Sequence, residues 1–297
     1  MGPKERIKEA VADLDQRARP WVAKGPWHRR SYEFLLFGLK EAWACLFGGN
    51  MLALLVGTHL FWPAHFLLAR YDFLVLAALA VQASLLALKL ERWEEARVIF
   101  VFHVVGTIME LFKTAKGSWI YPEPSLLRIG GVPLFSGFMY ACIGSYIARA
   151  TRILDLRISA YPPAWACWLL ALLAYANFFT HHYLPDIRWG LFALSVVMFR
   201  KASFWFRPDR KWRSLPVLPG FILTAIFIWF AENLGTFAGA WIYPSQHHGW
   251  RMVSFEKVGS WYLLMLLSFV LVSLVHPVQP VSEEERLADA PAEGAPA

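Results

Sequence analysis

Glu110-Leu111-Phe112-Lys113-Thr114-Ala115-Lys116-Gly117-Ser118-Trp119-Ile120-Tyr121-Pro122 recurs as Glu232-Asn233-Leu234-Gly235-Thr236-Phe237-Ala238-Gly239-Ala240-Trp241-Ile242-Tyr243-Pro244. Seven of the thirteen positions are identical without a gap, at an offset of 122 residues. Each copy closes a long apolar run, and each sets a carboxylate where a bilayer makes charge costly. The string therefore bears on architecture, as two related halves, and on a candidate site.

Outward from the string, between the polar first 33 residues and the tail after 276, the chain is predominantly apolar. It is 57% hydrophobic and only 17% charged over 297 residues, with mean hydropathy +0.41; a soluble domain is about a quarter charged. Eight apolar runs, at 36–58, 71–90, 97–115, 132–150, 164–181, 187–206, 216–234 and 258–276, are each near the length a bilayer core requires. Pro216 and Pro219 suit a helix start. The expected fold class is all-α: a polytopic membrane helical bundle of about eight transmembrane helices. Many of the 15 Trp fall at the ends of runs, as in Trp62, Trp93, Trp189 and Trp212, which is the pattern of an interfacial aromatic belt.

The first 33 residues are polar and lack an apolar signal core, so no cleavable signal peptide is expected. Arg6 at position 6 fails the myristoylation pattern. Ile7, Val11 and Leu14 fall at helical spacing among charges, as in a surface helix lying at a membrane or in solvent. Near the spans, Lys and Arg number fifteen on the side of the N-terminus and seven on the other, which puts both termini in the cytoplasm. This distribution, in short loops between spans, also accounts for the net charge of +7 without nucleic acid. Cys45, Cys142 and Cys167 all lie in spans with no CxxC pair, so neither a disulfide framework nor a thiolate zinc site is supported.

Four spans separate the two strings, an even number, so both halves share one orientation. This predicts two parallel four-helix repeats about an axis along the membrane normal. The organisation is 1–33, a cytoplasmic segment; 34–150 and 151–276, the two membrane repeats; and 277–297, a tail too poor in apolar residues to fold.

Glu110, Thr114 and Gly117 are spaced i, i+4, i+7, as are Glu232, Thr236 and Gly239, so each trio forms one helical stripe. Gly235 and Gly239 make a GxxxG, and glycine there allows close backbone approach. A carboxylic acid held neutral by a bilayer is what acid-catalysed chemistry needs. Lys113, three residues after Glu110, suggests a helix-surface ion pair. Gly235 holds the matching position in the second copy, so Glu232 is the better candidate acid. The competing reading is that both carboxylates brace helix ends through hydrogen bonds.

His181 and His182 end the fifth span, His247 and His248 follow the second string, and His59 and His65 flank the first hairpin. All belong to the outer side, with Trp119, Tyr121, Trp241 and Tyr243. No metal-ligand spacing such as HExxH is present. Adjacent helical residues point about 100° apart, so His181 and His182 are not expected to share one ion. His103, seven residues before Glu110, could relay protons or bond a neighbouring helix. Asn50 and Asn177 read as helix–helix glue. No P-loop, GxGxxG, GxSxG or aspartate-rich diphosphate motif occurs, which argues against nucleotide-driven pumping, dinucleotide chemistry, elbow hydrolases and typical prenyltransferases.

Phe37 to Gly49, Gly106 to Tyr146, Thr180 to Asp186 and Ala231 to Pro244 resemble the YoaT-like family of bacterial multi-pass membrane proteins, a domain of unknown function. The resemblance implies a bacterial inner-membrane location and no activity. Glu110 and Thr114, then Trp119 and Tyr121, then Gly131-Val132-Pro133-Leu134, are similar in order to a motif of membrane carotenoid hydratases and lycopene-cyclase domains. That likeness implies protonation of a polyene or isoprenoid double bond by membrane-embedded acids. The chain departs from the motif at Phe135 and Ser136, where the cyclases have paired acids, and the second copy lacks Pro-Leu.

The expected function is acid-catalysed action on a lipid-like or isoprenoid substrate. Glu232 is the general acid and Glu110 assists. Trp119, Tyr121, Trp241, Tyr243, Thr114, Thr236, His181 and His182 contact the substrate. A small-molecule carrier and a non-catalytic scaffold are the alternatives. Membrane lipid is the expected partner, a homo-oligomer is compatible, and no metal or cofactor is named by the pattern.

Overall fold

The computed structural model describes residues 3–63 and 65–282. Ten α-helices dominate: α1 (Pro3–Val22), α2 (Pro26–Ala44), α3 (Leu46–Phe61), α4 (Arg70–Ala87), α5 (Trp93–Ala115), α6 (Phe135–Ile153), α7 (Ala164–Thr180), α8 (Arg188–Phe199), α9 (Val217–Phe237) and α10 (Lys257–Val272). Each of the eight apolar runs is helical over most of its length. By length and composition α4, α5 and α9 are able to cross a membrane, and the pair α2–α3 makes a fourth if taken as one span. That pair is bent by 68° at Cys45, inside what reads in sequence as one continuous run. Helices α7, α8 and α10 are apolar but shorter. At 12 residues α8 rises only ~18 Å, because β-structure takes over at Ser203.

Local chemistry sets the helix ends. Proline stands at the N-cap of α7 (Pro163) and α9 (Pro216), where no amide donor is needed. The Glu95 carboxylate accepts the Arg92 amide at 3.0 Å at the start of α5. Gly117 and Gly239, the repeated glycines of the string, end α5 and α9 with φ of +69° and +64°. At each end the six-residue Schellman bond closes, Ser118 N to Lys113 O and Ala240 N to Gly235 O, both 3.0 Å. Their role is thus to stop the helix and turn the chain, rather than to let two helices approach.

The molecule is not purely helical. Strands β1 (Arg128–Ile129) and β2 (Val132–Pro133) form a hairpin over Gly130-Gly131. Strands β3 (Arg157–Ser159), β4 (Ser203–Phe206) and β5 (Arg213–Pro216) form an antiparallel sheet in the order β3-β4-β5. The sheet joins the α6–α7 and α8–α9 loops at one end of the bundle. At that same end Arg19 of α1 donates to Asp209, Arg152 to Glu95, and Ile158 N to Gln279 O. At the other end Arg70 of α4 reaches Glu123, Ala238 O and Gly239 O. Asp72 accepts the Leu126 and Leu127 amides, and Lys116 lies 4.5 Å from the Tyr183 ring. Alternate loops thus gather at opposite ends.

Helix α1 contains the predicted surface helix. The tail predicted for 277–297 lies outside the described residues from 283 on. The core runs through α3 to α10, with Met51, Leu74, Phe135, Leu170, Phe221 and Leu266 fully buried. The outward faces carry Phe100, Leu172, Val197, Leu223 and Phe227 exposed. So much exposed apolar surface suits lipid rather than water, and the apolar helices fit membrane association. At the sheet end Arg149, wholly buried, pairs with Glu91 at 3.1 Å. Asn50 bonds its own helix at Leu46 O, and Asn177 holds Asp186 and the Ile187 amide in the following loop. Asn50 thus stays within its own helix, whereas Asn177 ties the end of α7 to the N-cap of α8.

Candidate functional site

The two strings meet. Ile120 N donates to Ile242 O at 3.0 Å and Ile242 N to Ile120 O at 2.9 Å, so equivalent residues bond each other reciprocally. The Schellman turns aim both chains back across their own helices, which brings each string's aromatics over its own carboxylate. Trp119 Nε1 and Tyr121 Oη donate to Glu110 Oε2 at 2.7 and 2.6 Å. Tyr140 Oη of α6 donates to Glu110 Oε1 at 2.8 Å. Tyr243 Oη donates to Glu232 Oε1, and Trp261 Nε1 of α10 to Glu232 Oε2 at 2.5 Å. The clusters touch where the Trp119 and Tyr243 rings pack edge to face at 5.8 Å. Both carboxyl groups are buried, and both act as acceptors from neutral donors.

The two copies are not identical in detail. Trp241 does not bond Glu232; its ring lies against Gly235, where an added Cβ would come within 2.3 Å of it. The matching residue in the first copy is Lys113, and with no ring there Trp119 turns to Glu110. Gly106 plays the corresponding part for Tyr140: a Cβ at that position would meet the Tyr140 ring at 2.6 Å.

Lys113 does not pair with Glu110 among the described residues. Its ammonium reaches His182 Nε2 at 2.9 Å and His181 Nε2 at 3.2 Å, over the Phe178 ring at 4.4 Å. His181 Nδ1 bonds Asn177 O at 2.8 Å, which leaves Nε2 as the acceptor. Desolvation, then the Lys113 ammonium, pushes the His182 imidazole below its ordinary value, so it too accepts. The adjacent histidines converge on one group, against the helical expectation, because α7 ends at Thr180 and both lie in the turn. Lys257, at the start of α10, lies over the Tyr243 ring at 4.6 Å and the Trp119 ring at 5.9 Å. The second cluster therefore has a nearby cation, supplied from the next helix and invisible to local spacing.

All of this borders a cavity of about 1300 Å³ between α2, α3, α5 and α6 on one side and α7, α9 and α10 on the other. Glu110, Glu232, Trp119, Tyr121, Trp241, Tyr243, His181 and His182 line it, with Tyr140, Trp261, Lys113 and Lys257. Thr114 and Thr236 are not on its wall; Thr236 Oγ1 instead accepts Trp250 Nε1 at 3.2 Å. His103 is also off the wall, packed on Phe138 at 4.2 Å. His247 and His248 are exposed, and His59 stacks on Phe237. The described residues contain no group of three or more His, Cys, Asp or Glu side chains able to hold a metal.

Tyr140, Trp261 and Lys257 were not marked by the sequence pattern. Tyr140 stands nineteen residues after Tyr121 and Trp261 eighteen after Tyr243. That one-residue slip in loop length hides the correspondence from an ungapped comparison.

The chain belongs to the family described as "Protein of unknown function (DUF817)", which matches residues 33–269. It is 41% identical over 246 residues to the "Uncharacterized protein YoaT" of Bacillus subtilis (strain 168), over 83% of this chain and 92% of that protein. No solved structure matches it.

Proposed function

We propose that this DUF817 member is an integral protein of the bacterial inner membrane that acts on a lipid-like, isoprenoid-type substrate held in the cavity. Residues 34–150 and 151–276 are its two parallel repeats, crossing eight times with both termini in the cytoplasm. The gathering of alternate loops at opposite ends supports that topology. So does the repeated unit of glutamate helix, aromatic string and aromatic-bearing helix, joined at the reciprocal Ile120–Ile242 pair.

The observation that carries the reading is the convergence of two carboxylates, 122 residues apart in sequence, on one apolar cavity of about 1300 Å³. Glu232 delivers a proton to a substrate double bond and Glu110 assists. The Trp and Tyr faces stabilise the cation that forms, which is then quenched by loss of a proton or by water. The test is mass spectrometry of the organic extract of gently purified protein, wild type against Glu110→Gln/Glu232→Gln, followed by turnover of whatever co-purifies. A specific isoprenoid that wild type converts and Glu232→Gln binds unchanged is the expected result. Conversion at the wild-type rate by Glu232→Gln overturns it.

The reciprocal junction also favours a carrier, in which two related halves rock about the paired strings. That reading predicts substrate flux into liposomes without chemical change. A third reading, a brace, draws on the saturation of both carboxylates by donors from their own strings. It predicts that the double Gln variant keeps its bound lipids and its cellular role.

A further inference from the structure

We infer that the cavity's occupant is a single-chain amphiphile with an anionic head, a carboxylate or a phosphate, seated between Lys113 and Lys257. This rests on the reading that the cavity holds a lipid-like molecule, and it adds the head-group chemistry.

Lys113 is only 6% exposed, yet its partners are two imidazole nitrogens and the face of Phe178. Lys257 is half-buried and rests on aromatic faces. Among the described residues neither ammonium has a carboxylate within ion-pair distance. The acids nearby are engaged elsewhere: Glu110 and Glu232 by their Trp and Tyr donors, Asp186 by Arg188 and Asn177. Glu256, exposed beside Lys257, is the remaining acid on this wall.

A buried ammonium without an ion-pair partner, as at Lys113, is costly, and an anion brought by a ligand removes that cost; Lys257, with Glu232 as its neighbour, adds a second positive charge to the same end. The other end of the cavity is lined mostly by apolar groups such as Leu46, Ile143, Phe221 and Leu263, with Glu41 on the wall as well, its carboxylate accepting from Tyr146 Oη at 2.8 Å. A pair of cations at one end and a mostly apolar remainder, whose acid Glu41 is taken up by Tyr146, match one class of molecule: an anionic head on a hydrocarbon chain. The wall between α3 and α9 includes the exposed residues Gly49, Asn50, Ala53, Leu223 and Phe227. A chain lying in a bilayer can slip in sideways there without drawing its head through the hydrocarbon.

The test is binding of three probes to the full chain in an uncharged detergent, read by native mass spectrometry and tryptophan fluorescence. The probes are oleate, oleyl alcohol and acetate. Wild type should bind oleate at least tenfold more tightly than the alcohol, and acetate not at all. Lys113→Gln/Lys257→Gln should lose that preference while still binding the alcohol, which also shows that the variant folds. Lys257→Arg should keep it, and so should Lys116→Gln, which lies off the cavity wall. Equal binding of oleate and alcohol by wild type, or a preference that survives in the double Gln variant, overturns the head-group inference and leaves the cavity reading standing. Binding of neither overturns both.

Discussion

At the scale of single residues, the string is a device for covering a carboxylate. Glycine stops the helix, and the Trp and Tyr that follow fold back as donors. A hydrogen bond to a buried charged or acidic group is worth about 1.5–3 kcal/mol. Tyr121→Phe and Tyr140→Phe should each therefore lower stability by roughly 1–3 kcal/mol, measured as reversible unfolding in detergent. No change in either would mean that Glu110 does not depend on these donors. A Cβ added at Gly117 would meet nothing within 4 Å, so Gly117→Ala tests backbone conformation alone. At φ +69° a left-handed non-glycine costs about 1–2 kcal/mol. Gly239→Ala, whose Cβ would make only an ordinary contact with Arg70 at 3.9 Å, should behave alike, and a neutral result at both sites would remove the turn from the argument.

At the scale of elements, α5 and α6 pack through glycines. A Cβ at Gly144 would meet the Phe102 ring at 2.6 Å, whereas one at Gly38 of α2 meets nothing within 4 Å. Gly144→Ala should destabilise by roughly 1–3 kcal/mol. Gly38→Ala should be neutral or stabilising by up to about 1 kcal/mol, since alanine is the better helix former. Parallel melting curves check the contrast. Helix α1 docks onto the β4–β5 turn through the bidentate Arg19–Asp209 pair, 2.8 and 2.7 Å. The hydrogen bond from Arg19 holds the Asp209 carboxyl below its ordinary value. A depressed folded value means the contribution is present above the unfolded value, about 3.9, and is lost as pH falls through the folded one. A spin label on α1 should stay immobile at neutral pH and gain mobility only below about pH 4. Asp209→Asn should free it at every pH; a label equally immobile in that variant would show that other contacts hold α1.

At the scale of the whole molecule, the α6–α7 and α8–α9 loops share a sheet at one end, and the two strings meet at the other. If the bundle crosses a bilayer eight times, Lys211 and His248 lie on opposite sides. In a background without Cys45, Cys142 and Cys167, an impermeant maleimide should label His248→Cys in cells whose periplasm is accessible. It should label Lys211→Cys only after the inner membrane is lysed. Labelling of both from one side would exclude the eightfold topology.

The sequence alone was enough for the helical character, the positions of the main helices and the family. Those depend on local composition and on residues close together in the chain. It also marked Glu110, Glu232, Trp119, Tyr121, Trp241 and Tyr243, because identity at a fixed spacing survives in one dimension. Tertiary structure decided the rest. Lys113 turned from Glu110 to two histidines because α7 ends one residue before them. Glu232 acquired a neighbouring cation from α10, and Trp241 went to Gly235 because only a glycine leaves room for its ring. The break at Cys45 lies inside an unbroken apolar run, where hydropathy carries no signal of direction. Partners of a buried polar group are chosen by which backbones lie within a hydrogen bond of it, and that is settled only when separate helices pack.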